Sequence, residues 1–134
     1  MASGNDRRNV LIVDDHEPTR LLVGRIVSQE FRARVTLAGT CEEALRLAEE
    51  RAYDVILLEP PETFTAGVIN LYTTQFYRDA MARLAPDGVM MQWVPYGAPE
   101  AEFKEHIRTF ASVFPNVSVV RGPGGFGVYM LGSE

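Results

Sequence analysis

The stretch VLIVDDHEPTRLLVGRIVSQEFRARVTLAGTCEEALRLAEERAYDVILLE, residues 10–59, decides the fold. It contains three short strand-like runs, at 10–13, 35–38 and 54–58. Runs this short and this apolar suit strands of a parallel sheet buried on both faces. Helical spacing separates them. Pro18 sits in a first helical turn, where its missing N–H costs nothing. Leu21, Leu22 and Ile26 then recur on one side. Thr40 and Glu43 fit a capping box that opens a second helix through Ala44, Leu45, Leu47 and Ala48.

Outward from that stretch the alternation continues. Pro60 and Pro61 stop the third strand, and a loop runs to Gly67. Residues 71–84 read as a helix, with Phe76, Ala80, Met81 and Leu84 on one face. Pro86-Asp87-Gly88 reads as a turn, and 89–94 as a fourth strand. Pro99 opens a helix that buries Phe103, Ile107, Phe110 and Phe114. Strands at 117–120 and 126–131 follow with only a glycine-rich turn between them, so they form a hairpin. The expected fold class is α/β: a three-layer sandwich around one six-stranded, mostly parallel sheet, with the last strand antiparallel. The expected core is Val10, Leu11, Ile12, Val13, Leu22, Ile26, Val35, Leu45, Val55, Ile56, Leu57, Met90, Ile107, Phe110, Val119 and Met130.

The chain has 134 residues, 46% hydrophobic and 23% charged, which suits one globular domain over 1–134. Residues 1–8 read as a flexible polar leader. The net charge of −5 speaks against a nucleic-acid partner. No apolar run approaches a membrane span, and a lone Cys41 excludes an internal disulfide framework. A cytoplasmic location is the expectation. Of the 13 basic residues only Lys104 is a lysine.

Two resemblances divide the chain. VLIVDD at 10–15, Arg20, EAL at 43–45 and YDVILL at 53–58 resemble a response-regulator receiver domain, a flavodoxin-like fold. EPPETFTAGVINLYTTQFY at 59–77, ARLAPDGVMMQWVP at 82–95 and RTFASVFPNVSVV at 108–120 resemble the C-terminal half of a spermidine synthase-like protein of the class I methyltransferase fold. The two together imply a chimera, receiver-like over 9–58 and synthase-like over 59–134, with strand order 2-1-3-4-6-5.

Each resemblance implies a chemistry, and each site reads as incomplete. A receiver holds Mg²⁺ on two acidic residues after its first strand, matched by Asp14 and Asp15. Its phosphoacceptor position is occupied by Glu59, one methylene too long for in-line attack. The hydroxyl and lysine it needs later are missing at Trp93-Val94-Pro95 and Arg121-Gly122-Pro123. A spermidine synthase uses decarboxylated S-adenosylmethionine, cradled by a glycine-rich loop after the first strand. Here that segment is VDDHEPT, without glycine. The acidic residue that holds the ribose is replaced by Ala38-Gly39-Thr40. Glu59 and Glu62 stand near that family's acidic positions and would orient an amine.

The candidate metal ligands are therefore Asp14, Asp15 and Glu59, for weak Mg²⁺ or Mn²⁺ binding. The bland reading is a solvated acidic cluster at loop ends. Gly122 to Gly127 formally fits G-x-G-x-x-G, but a strand follows where the fingerprint needs a helix. His16 and His106 lack ligand spacing. Cys41 lies at a helix start and reads as unreactive. Trp93, Tyr72, Tyr77 and Tyr96 read as packing residues before they read as a groove. With both sites disabled, the expected function is a recombined or engineered scaffold without evolved catalytic activity, hence no enzyme, requiring no cofactor and binding at most Mg²⁺. The chain is expected to be a monomer, with dimerisation through residual apolar surface as the exception. The alternatives are a degenerate receiver acting as an interaction module, and a remnant aminopropyltransferase or methyltransferase.

Overall fold

The computed structural model describes residues 7–60 and 68–134, with backbone only at 68 and 69. The elements are β1 (Asn9–Asp14), α1 (Glu17–Glu30), β2 (Arg34–Ala38), α2 (Cys41–Glu50) and β3 (Tyr53–Glu59). A 3₁₀ turn (Val68–Tyr72) leads into α3 (Thr74–Ala82), β4 (Leu84–Pro95), α4 (Glu100–Val113), β5 (Asn116–Arg121) and β6 (Gly127–Ser133). The strands form one sheet in the order β2-β1-β3-β4-β6-β5. The first four are mutually parallel, and β6 runs antiparallel to β4 and β5. Fold class and strand order are those the sequence implies.

Alternation along the strands divides the apolar side chains between two faces. Leu11, Val13, Ile56, Leu58, Met90 and Met130 face the larger core, together with Tyr77, Phe110 and Phe114 from α3 and the α4 region. Val10 and Ile12 face the other way, against Val23 and Val27 of α1. On that second face α1 packs against β1 and β2, whereas α3 and α4 lie on β4 and β6 from the first. Among the described residues no helix covers the second face of β4, β6 and β5.

Three expected core residues are corrected by this arrangement. Leu22 is 59% exposed, Ile26 46% and Val119 45%. The reason on α1 is Gly24, which is buried against β2; a Cβ there would lie 2.9 Å from Leu37. That close approach turns Val23 and Val27 inward and rotates Leu22 and Ile26 outward. Val119 lies on an edge strand beyond the helical layer.

Two element boundaries also differ from expectation. The helix expected over 71–84 is interrupted at Thr73, whose hydroxyl accepts from the Phe76 N–H and donates to the Asn70 carbonyl. This cap closes the 3₁₀ turn and starts α3 afresh. The turn expected at 86–88 lies inside β4. Tyr53 pairs with Leu84, yet Val55 pairs with Val89, so the extra residues bulge out with Asp87 at φ 62°. Gly88 is required there, since a Cβ would meet the Ala85 carbonyl oxygen at 2.8 Å.

Candidate functional site

The parallel strands β1, β3 and β4 end on the same edge of the sheet, where ligands of open α/β folds bind. Register sets the side chains there in a row. Asp14 of β1 pairs with Glu59 of β3. Leu58 pairs with Gln92, which brings Glu59 level with Trp93 of β4, and Trp93 pairs with Tyr129 of β6. Two carboxylates and two aromatic rings thus lie side by side across four strands on the face that α1 only partly covers. The Tyr129 hydroxyl donates to Glu59 Oε1 at 3.1 Å. The Trp93 and Tyr129 rings lie 4.9 Å apart.

Glycines make room for the indole. A Cβ on Gly122 would lie 2.2 Å from the Trp93 ring, and one on Gly127 2.6 Å from it. The glycine-rich turn therefore seats Trp93 and cradles no phosphate. It carries Gly124 and Gly125 at φ 72° and 73°, a hairpin corner.

Burial pushes the Glu59 carboxyl above the usual carboxylate range. The Tyr129 hydrogen bond opposes that rise, and the neighbouring Asp14 charge adds to it. Tyr129 is pushed up to about 12, first by burial and then by the Glu59 charge. Tyr129 is therefore a donor to Glu59 across the physiological range.

The sequence-proposed ligands are placed unevenly. Asp14 is buried and its Oδ1 accepts from the His16 N–H at 2.9 Å. Asp15 is exposed. Glu59 is half-buried beside Asp14. All three border a cleft of about 120 Å³ that also touches Gly39, Thr40, Cys41 and Leu71. Among the described residues no group of three His, Cys, Asp or Glu side chains is arranged to hold a metal ion. Glu62 lies outside the described residues. Burial raises the Cys41 thiol, so it is not an activated nucleophile. His106 is buried, stacked on Tyr72 with ring centroids 4.1 Å apart. Tyr72 and Tyr77 are core residues, and Tyr96 is half exposed. Of the aromatic candidates only Trp93 belongs to the row. Tyr129 was not anticipated. The signal was available in the hairpin, whose antiparallel register sets Tyr129 opposite Trp93.

The spermidine synthase-like resemblance implies an adenosyl group at the β1–α1 turn and the end of β2. Here the N–H groups of His16 and Thr19 at the start of α1 already have side-chain acceptors. Asp14 accepts from His16, and His16 Nδ1 accepts from Thr19 N at 3.3 Å. The Arg20 guanidinium donates to the Asp14 carbonyl at 2.7 Å and lies against Gly39. At the end of β2 the near carboxylate is Glu43, which accepts from the Gly39 N–H at 3.0 Å. Among the described residues this end has neither a glycine cradle nor a free carboxylate at the end of β2. These residues do not fit an adenosyl donor.

No family model and no curated protein matches the chain. Solved structures match its fold. Spermidine synthase from Thermotoga maritima has a TM-score of 0.60 and 19% identity, covering 96% of this chain and 54% of that one. Human methyltransferase-like protein 13, in complex with SAH, has a TM-score of 0.64 and 15% identity, covering 95% of this chain and 72% of that one. A methyltransferase from Pyrococcus furiosus has a TM-score of 0.64 and 14% identity, covering 93% and 73%. The chain spans about half the length of the spermidine synthase it matches. The fold is thus of the spermidine synthase and class I methyltransferase kind.

Two expectations change. One fold, similar to that of the synthase and the methyltransferases, covers nearly all of the chain, both sides of residue 58, and nothing in the comparisons supports a receiver half or a chimera. The expectation that the chain is no enzyme is overturned, since the similar structures are a synthase and methyltransferases, one of them with SAH bound. Among the described residues no helix is long and apolar enough to cross a membrane.

Proposed function

We propose that the chain is an enzyme domain of the transferase fold that binds a cationic amine at the Asp14–Glu59–Trp93–Tyr129 row and takes its proton at Glu59. The observation that carries this reading is the row itself. Carboxylates attract an ammonium group, and the faces of Trp93 and Tyr129 add cation–π attraction. The similarity of the fold to a spermidine synthase supports the same class of ligand.

The chemistry follows from the surroundings of Glu59. An ammonium group entering the row meets the Glu59 carboxylate, whose other partner is the Tyr129 hydroxyl. The proton leaves the nitrogen for Glu59, giving a neutral amine with a free lone pair and a protonated carboxyl. A raised carboxyl pKa narrows the gap to the ammonium and makes the transfer less uphill. The adenosyl-type donor has no fitted place here, so no step is assigned to it.

The receiver-type alternative has weaker support, because Glu59 is half-buried and bonded to Tyr129 instead of facing a partner. Weak Mg²⁺ binding remains the competing use of the same carboxylates. The test is a titration of the single Trp93 fluorescence and of the ¹⁵N–¹H spectrum with a linear aliphatic diamine, with Mg²⁺ and with SAH. We expect the diamine to move Trp93, Tyr129, Asp14 and Glu59, and Glu59→Gln to weaken it about tenfold, the loss of one charge-assisted contact. A response to Mg²⁺ or to SAH with none to the diamine would overturn the reading.

A further inference from the structure

β5, NVSVVR at residues 116–121, is the outer strand of the sheet on the side away from β2. Five of its six residues are exposed and the remaining one, Val117, is half-buried. Val119 and Val120 are 45% and 50% exposed. Such an edge is normally blunted by proline, lysine, a bulge or a covering element. β5 has no proline, lysine or bulge, its one charged residue is Arg121 at its end, and among the described residues no further strand pairs with its outer edge. The opposite edge differs: β2 is half-buried and packs against both α1 and α2.

The direction of the unpaired groups can be worked out. The Gly122 N–H donates to the Gly127 carbonyl at 2.9 Å, in register with the β5–β6 ladder. Backbone groups of alternate residues point to the same neighbour in an antiparallel pair. Residues 116, 118 and 120 therefore bond β6. Val117, Val119 and Arg121 direct N–H and C=O outward, where no strand stands.

We propose that this edge pairs with β5 of a second copy of the chain, antiparallel about a two-fold axis at Val119. The register follows from the outward residues. Val119 meets Val119, Val117 meets Arg121, and Ser118 meets Val120, with about six ladder hydrogen bonds in all. An isologous contact of this kind closes at two copies.

Charge selects a second copy as the occupant. Arg121 forms no ion pair among the described residues. At the far end of the strand, Asn116 Nδ2 donates to the Glu134 carbonyl at 2.7 Å and holds an acidic residue there. The two-fold axis turns Arg121 of each copy toward the Asn116–Glu134 end of the other. It separates the two Arg121 residues by four strand positions, roughly 14 Å, beyond the screening length at physiological salt.

Sedimentation equilibrium of the full chain over about 1–100 μM tests this, a range that brackets a contact of micromolar strength. We expect a monomer–dimer equilibrium. Val119→Pro removes an outward N–H that the fold does not use, and edge strands accept proline at such positions. It should raise the dimer dissociation constant at least about tenfold with an unchanged circular dichroism spectrum. Val119→Lys, which sets two like charges together at the axis, should do the same without a backbone change. A wild-type chain that stays monomeric throughout would overturn the proposal. So would a dimer insensitive to both substitutions, or a monomer that pairs only with an unrelated strand.

Discussion

Glu59 couples the candidate site to stability. Its carboxyl titrates higher in the fold than in the unfolded chain, chiefly through burial. The folded state therefore prefers the protonated form. The resulting penalty is complete above the folded pKa and disappears below the unfolded one, so stability falls as pH rises between the two. Glu59→Gln removes the penalty and leaves an oxygen for the Tyr129 hydroxyl. The variant should be more stable than the wild type at pH 7, by about half a kcal/mol because the carboxyl is only half-buried. The gain should fade as pH drops through the usual carboxylate range. Urea denaturation at several pH values measures it, and a variant equally or less stable at pH 7 contradicts the account. Binding and stability then respond oppositely to the same substitution, as expected of a group kept for function.

At the scale of elements, the helix starts show how much was legible and why. α2 begins where the sequence places it, at the Thr40–Glu43 pair, because a cap is a local contact. Glu43 N donates to Thr40 Oγ1 at 3.1 Å, while the Glu43 carboxylate reaches past Thr40 to the Gly39 N–H. Thr40→Ala should cost about 1 kcal/mol. Thermal unfolding checks this, and an unchanged midpoint would show that tertiary packing alone holds α2. α3 was less legible, since the apolar spacing over 71–84 runs straight through the Thr73 cap. The interior of β4 was misread as a turn because Pro86-Asp87-Gly88 has turn chemistry, yet the strand resumes after the bulge. Local chemistry was read correctly in both places; its place within the larger element depended on neighbours distant in sequence.

At the scale of the whole molecule, the alternation and the final hairpin made the α/β class and the antiparallel last strand legible, whereas the strand order came only through the family resemblances. The candidate site was legible only in part. Asp14 and Glu59 end apolar strands, and that position is visible in sequence. Trp93 and Tyr129 join them through the register of β4 with β6, a pairing separated by dozens of residues. Asp15, one residue beyond Asp14, falls outside the row because β1 ends at Asp14 and its side chain turns to solvent. The apparent division at residue 58 came from motifs that one fold accommodates along its full length.

The hairpin also governs the order in which the sheet can be completed during synthesis. β5 leaves the ribosome before β6, yet β6 lies between β4 and β5. Until residues 127–133 emerge, β4 has no neighbour on that side, and β5 has nothing in the chain to pair with. The nascent protein therefore carries an open apolar seam, a state prone to aggregation. A chain ended at residue 126 should lose cooperative unfolding and bind a hydrophobic dye, whereas one ended at residue 133 should not. Equal cooperativity in the two would mean that the first four strands and their helices stand without the seam being closed.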